Sequence, residues 1–338
     1  MIYFLPWIQL IIAAIIILFS STYLAKSADV IALKTGLGRT FVGVVLLATA
    51  TSLPELATGI NAVATLNAPN LAGGDVFGSN IFNLLIIVVL DTYWRNGTFL
   101  GSVYNNTWII AVLSISIISI ALIALWNPLQ INIGIAHIGL FSYVLLIFFG
   151  LSMFILYQQG KKGEKSQETH EESHDQDKSY TLKKSFIIYG ISASIIIISA
   201  IFLSRAGEEI AEIMHWGESF VGTQLLALST SLPELATSIA AVRLRAPELA
   251  ITNLLGSNLF NTGIVLFADD AFYMNGSIWD AFSNAHILNL GIAILMTCIV
   301  LTTILLKPKR KLLKYFGVES VLLVACYLIA TIYTFQNP

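Results

Sequence analysis

Charge is what this chain of 338 residues has least of. Asp, Glu, Lys and Arg make up 11% of it, against about 25% in ordinary soluble domains. Apolar residues make up 56%, and the mean hydropathy is +0.79. A soluble domain cannot hide so much apolar surface, because surface-to-volume scaling leaves part of it facing water; lipid is the solvent that suits it. A basic excess is missing too. The formal net charge of −2 offers no positive face to a phosphate backbone, so no nucleic-acid partner is expected. Cysteine is nearly absent: Cys298 and Cys326 stand in separate apolar runs and read as small hydrophobes in packed helices rather than a disulfide or metal pair. No Lys or Arg precedes the apolar run at 2–24 and no convincing cleavage pattern follows it, so a retained first membrane helix is expected there.

A bilayer core of about 30 Å takes roughly 20 apolar residues per helix. Apolar runs between charged or turn-rich breaks predict ten spans, near 5–33, 40–67, 71–90, 107–126, 132–157, 185–212, 219–243, 248–268, 284–306 and 312–334. The expected fold class is therefore an all-α polytopic membrane protein, with five helices in residues 1–158 and five in 185–338. Between them, Lys161 to Lys184 holds six acidic and six basic residues, with His170 and His174 and almost nothing apolar. It reads as a solvated linker, 159–184, whose function is solubility.

Basic residues set the expected orientation. With the N-terminus outside and ten alternating spans, Lys34, Arg39, Arg95, the linker lysines, Arg243, Arg245 and the Lys307–Lys314 cluster fall on one side. Glu208, Glu209, Glu212, Asp269, Asp270 and Asp280 fall largely opposite. The positive-inside rule makes the linker side cytoplasmic, and the cell membrane is the expected location.

An internal repeat organises the chain. Residues 41–58 read FVGVVLLATATSLPELAT and residues 220–237 read FVGTQLLALSTSLPELAT. Downstream, Gly-Ser-Asn-Ile-Phe-Asn (78–83) faces Gly-Ser-Asn-Leu-Phe-Asn (256–261), with a spacing that differs by a single residue. Five helices per half is an odd number, so the second copy enters the membrane upside down. Inverted repeats are a transporter architecture, with the substrate near the midplane where the copies meet.

Glu55 and Glu234 lie mid-way along otherwise apolar runs with no basic residue nearby in sequence. A charged carboxylate at that depth costs about 2.5–3.5 kcal/mol even on insertion scales, so it faces a partner or a wet cavity. A protonated Glu bonded to a neighbouring helix is the structural alternative; a cation suits both copies. Pro54 and Pro233 remove a helix N–H and displace the carbonyls of Ala50 and Ser229, while Thr51, Ser52, Thr230 and Ser231 add hydroxyls. Broken helices are tolerated at membrane depth where they line a cavity. Calcium takes six to eight oxygens in adaptable geometry, which two carboxylates and several neutral oxygens can supply; magnesium dehydrates too reluctantly. The same oxygens can hold sodium. Ser79 and Asn83 share a helix face, as do Ser257 and Asn261, and Gly78 and Gly256 permit close helix approach. Asp75, one turn before Ser79, breaks the symmetry, because its counterpart is Asn253. It reads first as a cap of the helix that follows Gly73-Gly74, and second as a further carboxylate beside the pathway. His137, His215 and His286 are assigned to helix ends and loops.

With these motifs in place, the chain resembles the cation/calcium exchanger superfamily, most closely its sodium/calcium exchangers. The paired Thr-Ser-Leu-Pro-Glu segments, each followed by Gly-Ser-Asn-x-Phe-Asn, are similar to that family's α-repeats, over about 38–84 and 217–262. The resemblance implies that Glu55 and Glu234 bind calcium and sodium, joined at the calcium site by the carbonyls of Thr51 and Thr230. It implies flanking sodium sites from Ser52, Ser231, Ser79, Ser257 and the carbonyls of Ala48 and Ala227, with Asn83 and Asn261 completing the centre. It further implies that residues 5–33 and 185–212 are sliding elements that expose the site alternately. Asn261 stands where many relatives carry Asp, which resembles the potassium-independent branch; Asp75 stands where Asn is common, which leaves proton coupling open.

The expected function is sodium-driven calcium antiport by alternating access, with a proton- or otherwise ion-coupled divalent-cation antiporter as the alternative. A passive channel and an intramembrane hydrolase built on Gly73-Gly74-Asp75 are weaker readings; the hydrolase lacks a second aspartate motif. The chain is not expected to be an enzyme or to need a cofactor. Its expected partners are calcium, sodium and the bilayer, and its sequence is compatible with a monomer.

Overall fold

The computed structural model describes residues 4–35, 48–95, 97–103, 107–126, 134–135, 137–164, 181–243, 245–308, 311 and 316–337. The first half consists of α1 (Leu5–Thr35), the short α2 (Ala48–Thr51), α3 (Leu53–Asn61), α4 (Pro69–Tyr93), α5 (Trp108–Trp126) and α6 (Leu140–Glu164). The second has α7 (Leu182–Met214), α8 (Glu218–Val221), α9 (Ala227–Thr230), α10 (Leu232–Arg243), α11 (Pro247–Phe260), α12 (Leu266–Phe272), α13 (Ile278–Ala281), α14 (Ala285–Leu306) and α15 (Val318–Gln336). Single π-helical turns follow α3 (Ala62–Leu66), join α8 to α9 (Gly222–Leu226) and join α11 to α12 (Asn261–Val265).

Eight helices among the described residues are long and apolar enough to cross a membrane, and nine with the bent pair Glu218–Thr230 and Leu232–Arg243. The first part of the expected 40–67 span lies outside the described residues, as does the middle of the 159–184 linker, into which α6 and α7 extend from either end. The 40–67 and 219–243 spans are broken at Ser52 and Ser231, beside Pro54 and Pro233 as the sequence suggests. One expectation needs correction. The start of the expected 132–157 span holds a two-residue antiparallel pairing, β1 (Gly134–Ile135) with β2 (Ile138–Gly139), in register Gly134↔Gly139; helix begins only at Leu140.

Burial separates a core from a lipid-facing shell. In the best apolar window of Pro69–Tyr93, and of Pro247–Phe272, 83% of residues are buried, against 17% in Leu140–Gln159. So α4 and α11–α12 form the centre. Helices α1 and α7 pack along one another through small and branched residues, with Ala13, Ala14 and Ile17 against Leu203, Ala206 and Ile210. Gln9 Nε2 donates to the Phe202 carbonyl at 3.0 Å. Their other faces expose Ile8, Ile11, Ile15, Ile191 and Ile198, as helices in contact with lipid do.

The two halves share a device that fixes their loops. Asp91, at the end of α4, accepts from the Phe99 amide at 2.8 Å, the Gly317 amide at 2.7 Å and Ser320 at 3.0 Å, with Lys311 Nζ 3.3 Å away. Asp270, in α12, accepts from the Ile278 amide at 2.8 Å, the Gly139 amide at 2.7 Å and Ser142 at 2.5 Å. Each carboxylate thus ties its own helix to the start of the last helix of one half.

Close crossing at the centre depends on glycine. A Cβ on Gly78 would lie 2.6 Å from the backbone of Thr223, in the π turn of the other half, as expected of a small residue at a membrane helix crossing. Gly190 faces open space. Gly78→Ala is therefore expected to destabilise the protein by about 1–3 kcal/mol through overpacking, and Gly190→Ala to stay within about 0.5 kcal/mol of the parent. Unfolding midpoints of the two variants in detergent, measured side by side, check this; equal midpoints would refute the crossing.

Candidate functional site

The break in each repeat is local chemistry. Pro54 and Pro233 sit at the second position of α3 and α10, where a missing N–H costs nothing because the first helical amides have no intrahelical partner. The residue that ends each preceding helix, Ser52 (φ −91, ψ 10) or Ser231 (φ −84, ψ 4), adopts the sparsely populated bridge conformation. The second break bends the chain by 42°. It places Glu55 and Glu234 in the first turn of the new helix, where the positive helix end favours a carboxylate.

The two breaks meet. Ser231 Oγ donates to Glu55 Oε1 at 3.4 Å, and Ser52 Oγ donates to Glu234 Oε1 at 3.2 Å. Each repeat therefore supplies a hydroxyl to the carboxylate of the other. Ser257 adds a second donor to Glu234 at 3.0 Å. Around them Thr51 Oγ1 lies 3.4 Å from Ser257 Oγ, and Thr230 Oγ1 lies 3.4 Å from Ser79 Oγ, a second pair that obeys the same exchange of halves. Glu55, Glu234, Thr51, Thr230, Ser52, Ser231, Ser79, Ser257, Asn83, Asn261 and Asp75 are all fully buried.

The carboxylates remain undersupplied. Among the described residues, Glu55 Oε2, Glu234 Oε2 and both amide atoms of Asn261 have no hydrogen-bond partner. Glu55 is close enough to Glu234 and Asp75 to be repelled by both. Buried charge left in that condition is strongly unfavourable, so the arrangement fits a cation that the neutral oxygens help to hold. No group of three or more His, Cys, Asp or Glu side chains suited to a metal occurs among the described residues. An ion here has two carboxylates and otherwise hydroxyl, amide and carbonyl oxygens, the donor set of a hard cation.

The hydrogen bonds join Glu55, Glu234, Ser52, Ser231, Ser257, Thr51, Thr230, Ser79 and Asp75 into this cluster; they do not tie Ala48, Ala227, Asn83 or Asn261 to its carboxylates. Ala48 and Ala227 open α2 and α9, and the Ala227 carbonyl accepts from the Ser231 amide at 3.0 Å. Asn83 donates to Asn258 at 2.9 Å, whereas Asn261 opens a π turn and its side-chain amide has no partner among the described residues. Asp75 overturns the capping reading. Helix α4 begins at Pro69, more than a turn earlier, so Asp75 is interior. Its Oδ2 accepts from Thr58 and its Oδ1 from Thr230 Oγ1, the latter at 2.9 Å. The counterpart Asn253 instead donates to Thr237 at 3.0 Å. His286, assigned to a helix end, is fully buried there against Phe77 and Phe282.

Residues overlooked in the sequence complete the centre. Asn80 donates to Thr262 at 2.9 Å, and Asn258 donates to the Asn80 carbonyl at 3.1 Å, so the central helices are joined by amides. Both asparagines belong to the repeated Gly-Ser-Asn motif, and their recurrence was the signal available. Asp269 is the other omission. It is fully buried, with neither oxygen partnered among the described residues, and its charge had been counted only toward membrane orientation.

Known proteins fit this geometry. The sodium/calcium exchanger protein family matches residues 5–157 and 184–336, nearly the whole chain. The inner membrane protein YrbG of Escherichia coli is 26% identical over 257 residues, covering 76% of this chain and 77% of YrbG. The sodium/calcium exchanger MaX1 of Methanosarcina acetivorans is 24% identical over 291 residues, covering 78% of this chain and 82% of MaX1. Among solved structures, the sodium-calcium exchanger NCX_Mj superposes with a TM-score of 0.64 at 20% identity, covering 97% of this chain and 98% of the other. Native YfkE superposes with a TM-score of 0.67 at 16% identity, covering 97% and 92%. The folds agree from end to end, and with the duplicated, cross-bonded repeats they lead to one conclusion: the chain is a multi-pass membrane transporter, not an enzyme, and belongs to the sodium/calcium exchanger protein family.

Proposed function

We propose that this protein exchanges sodium for calcium across the cell membrane by alternating access, with its N-terminus outside and the 159–184 linker cytoplasmic between the halves 1–158 and 185–338. The observation that carries this reading is the crossed pairing of Ser52 with Glu234 and Ser231 with Glu55, which gathers two carboxylates with unpartnered oxygens into one buried cluster. Two carboxylates balance one divalent ion, and the same oxygens regroup around sodium when calcium leaves. In this reading Glu55 and Glu234 hold calcium with the carbonyls of Thr51 and Thr230. Ser52, Ser231, Ser79 and Ser257, with the carbonyls of Ala48 and Ala227, form flanking sodium positions; Asn83 and Asn261 close the centre.

The name of MaX1, a sodium/calcium exchanger, supports the sodium assignment. A proton-coupled divalent-cation antiporter is the second reading, favoured by Asp75, a fully buried carboxylate bonded to Thr230 with no acidic counterpart in the other half.

Reconstituted in proteoliposomes, the protein is expected to take up calcium-45 when an outward sodium gradient is imposed. Glu55→Gln or Glu234→Gln is expected to lower that uptake by about 100-fold or more, since removing one member of a desolvated charge pair costs 2–5 kcal/mol or more. Uptake that follows a pH gradient and ignores sodium would replace sodium coupling with the second reading.

Asp75→Asn copies the residue found in the other half. Its carboxylate is held by two threonines rather than turned wholly to the centre. The variant is expected to keep sodium-dependent exchange while raising the calcium concentration for half-maximal uptake about tenfold, the equivalent of 1.4 kcal/mol. A loss as deep as that of Glu55→Gln would make Asp75 a direct calcium ligand instead.

A further inference from the structure

Asp269 has no counterpart in the first half. Asp91 and Asp270 perform the same loop-fixing task, each accepting from an amide eight residues onward and from the start of a distant helix. That equivalence leaves Asp269 as an extra carboxylate, one residue before the structural one. It binds no loop: among the described residues neither of its oxygens has a hydrogen-bond partner, although the side chain is fully buried.

Its surroundings are oxygen-rich. The carboxylate lies against the α-carbon of Gly59 in α3, so close that a Cβ there would stand 2.8 Å from Oδ2. The preceding residue, Thr58, gives its hydroxyl to Asp75 from the other side. Asp269 and Asp75 thus meet successive residues of α3, Gly59 and Thr58.

We propose that Asp269, with Asp75 and the Thr58 hydroxyl, forms a second holding position for a hard, oxygen-preferring cation beside the Glu55–Glu234 cluster. Two carboxylates with neutral oxygens can hold a sodium or a calcium ion, the shared chemistry of both transported species. A fully buried carboxylate with neither oxygen bonded is strongly unfavourable without an opposing charge, and a passing cation supplies one. The position captures an ion on the way to or from the centre. It rests on the cation-exchange reading above.

Full-length protein carrying both Glu55→Gln and Glu234→Gln, purified in detergent, is equilibrated with calcium-45 alone and with sodium-22 alone. At least one isotope is expected to remain bound, and the isotope retained identifies the occupant. Adding Asp269→Asn is expected to weaken that residual binding about tenfold or more. Gly59→Ala, which presses a methyl on the carboxylate while leaving its charge, is expected to do the same, and serves should the Asp269 variant not fold. A double variant that binds neither ion, from a parent that binds both, overturns the second position and leaves the exchange reading intact. Residual binding that survives both added substitutions also overturns it. A parent that binds neither ion removes the exchange reading as well.

Discussion

Two carboxylates buried at the middle of a membrane protein, without a basic partner among the hydrogen bonds they make, set the terms for the rest of the molecule. Glu55 and Glu234 are both fully enclosed, and a charge in that condition costs several kcal/mol unless polar groups and an opposing charge surround it. The polar groups come from chain breaks. Prolines one residue before each Glu stop the helix, turn Ser52 and Ser231 into the bridge conformation, and bring each serine to the carboxylate of the opposite repeat. Broken backbone at this depth survives only inside protein. That requirement explains why the helices around the breaks, α4 and α11–α12, are the most deeply buried, while α1, α6 and α7 face lipid.

The repeats are equal where the cluster needs them to be and unequal elsewhere, and π turns account for the difference. A π turn inserts one residue into a helix and often marks a functional site. Residues 62–66 form one in the first half, between the two motifs, whereas α10 is regular to its end at Arg243; this matches the single extra residue in the first copy. Residues 261–265 form another in the second half, with regular α4 opposite, and the register is restored by Asp91 and Asp270. A residue-by-residue alignment without these turns would pair Asp91 with Asp269. Hydrogen bonds show that Asp270 is the true equivalent.

Much of this was legible in the sequence because it is written in local chemistry. Long apolar runs gave most of the spans, and the repeated carboxylate amid them marked the place where the two halves meet. Duplication made the motifs unmistakable even though Gly-Ser-Asn alone is weak. What escaped was set by contacts between distant residues. Asp75 followed Gly73-Gly74 and looked like a cap, yet the helix starts at Pro69 and the carboxylate accepts from Thr58 and Thr230. Asp269 sat in an Asp-Asp pair near a span end, where charge usually means water; that one member is fully buried and unbonded follows from the packing of α12 on α3. Apolar runs drew 219–243 as one span, because a bent helix and a straight one have the same hydropathy; Pro233 was the signal of its break.

Hydroxyls are well suited to a cluster whose occupant comes and goes. A serine or threonine O–H can donate to a carboxylate or rotate and offer its lone pairs to a cation. With Ser52, Ser231 and Ser257 as donors, Glu55 and Glu234 have partial compensation without an ion; in the proposed exchange the same oxygens would turn to the ion as ligands. An arginine or lysine in their place would satisfy the carboxylates permanently and compete with every cation. Amides that bond to one another, as Asn83 does to Asn258, hold the central helices in place without entering that exchange. Asn261, whose amide is unbonded among the described residues, remains free to take part. The crossed hydroxyls also connect the two halves through the very groups an ion would recruit. Loading the cluster therefore changes the contact between the repeats, which is what alternating access requires of a site placed at their meeting point.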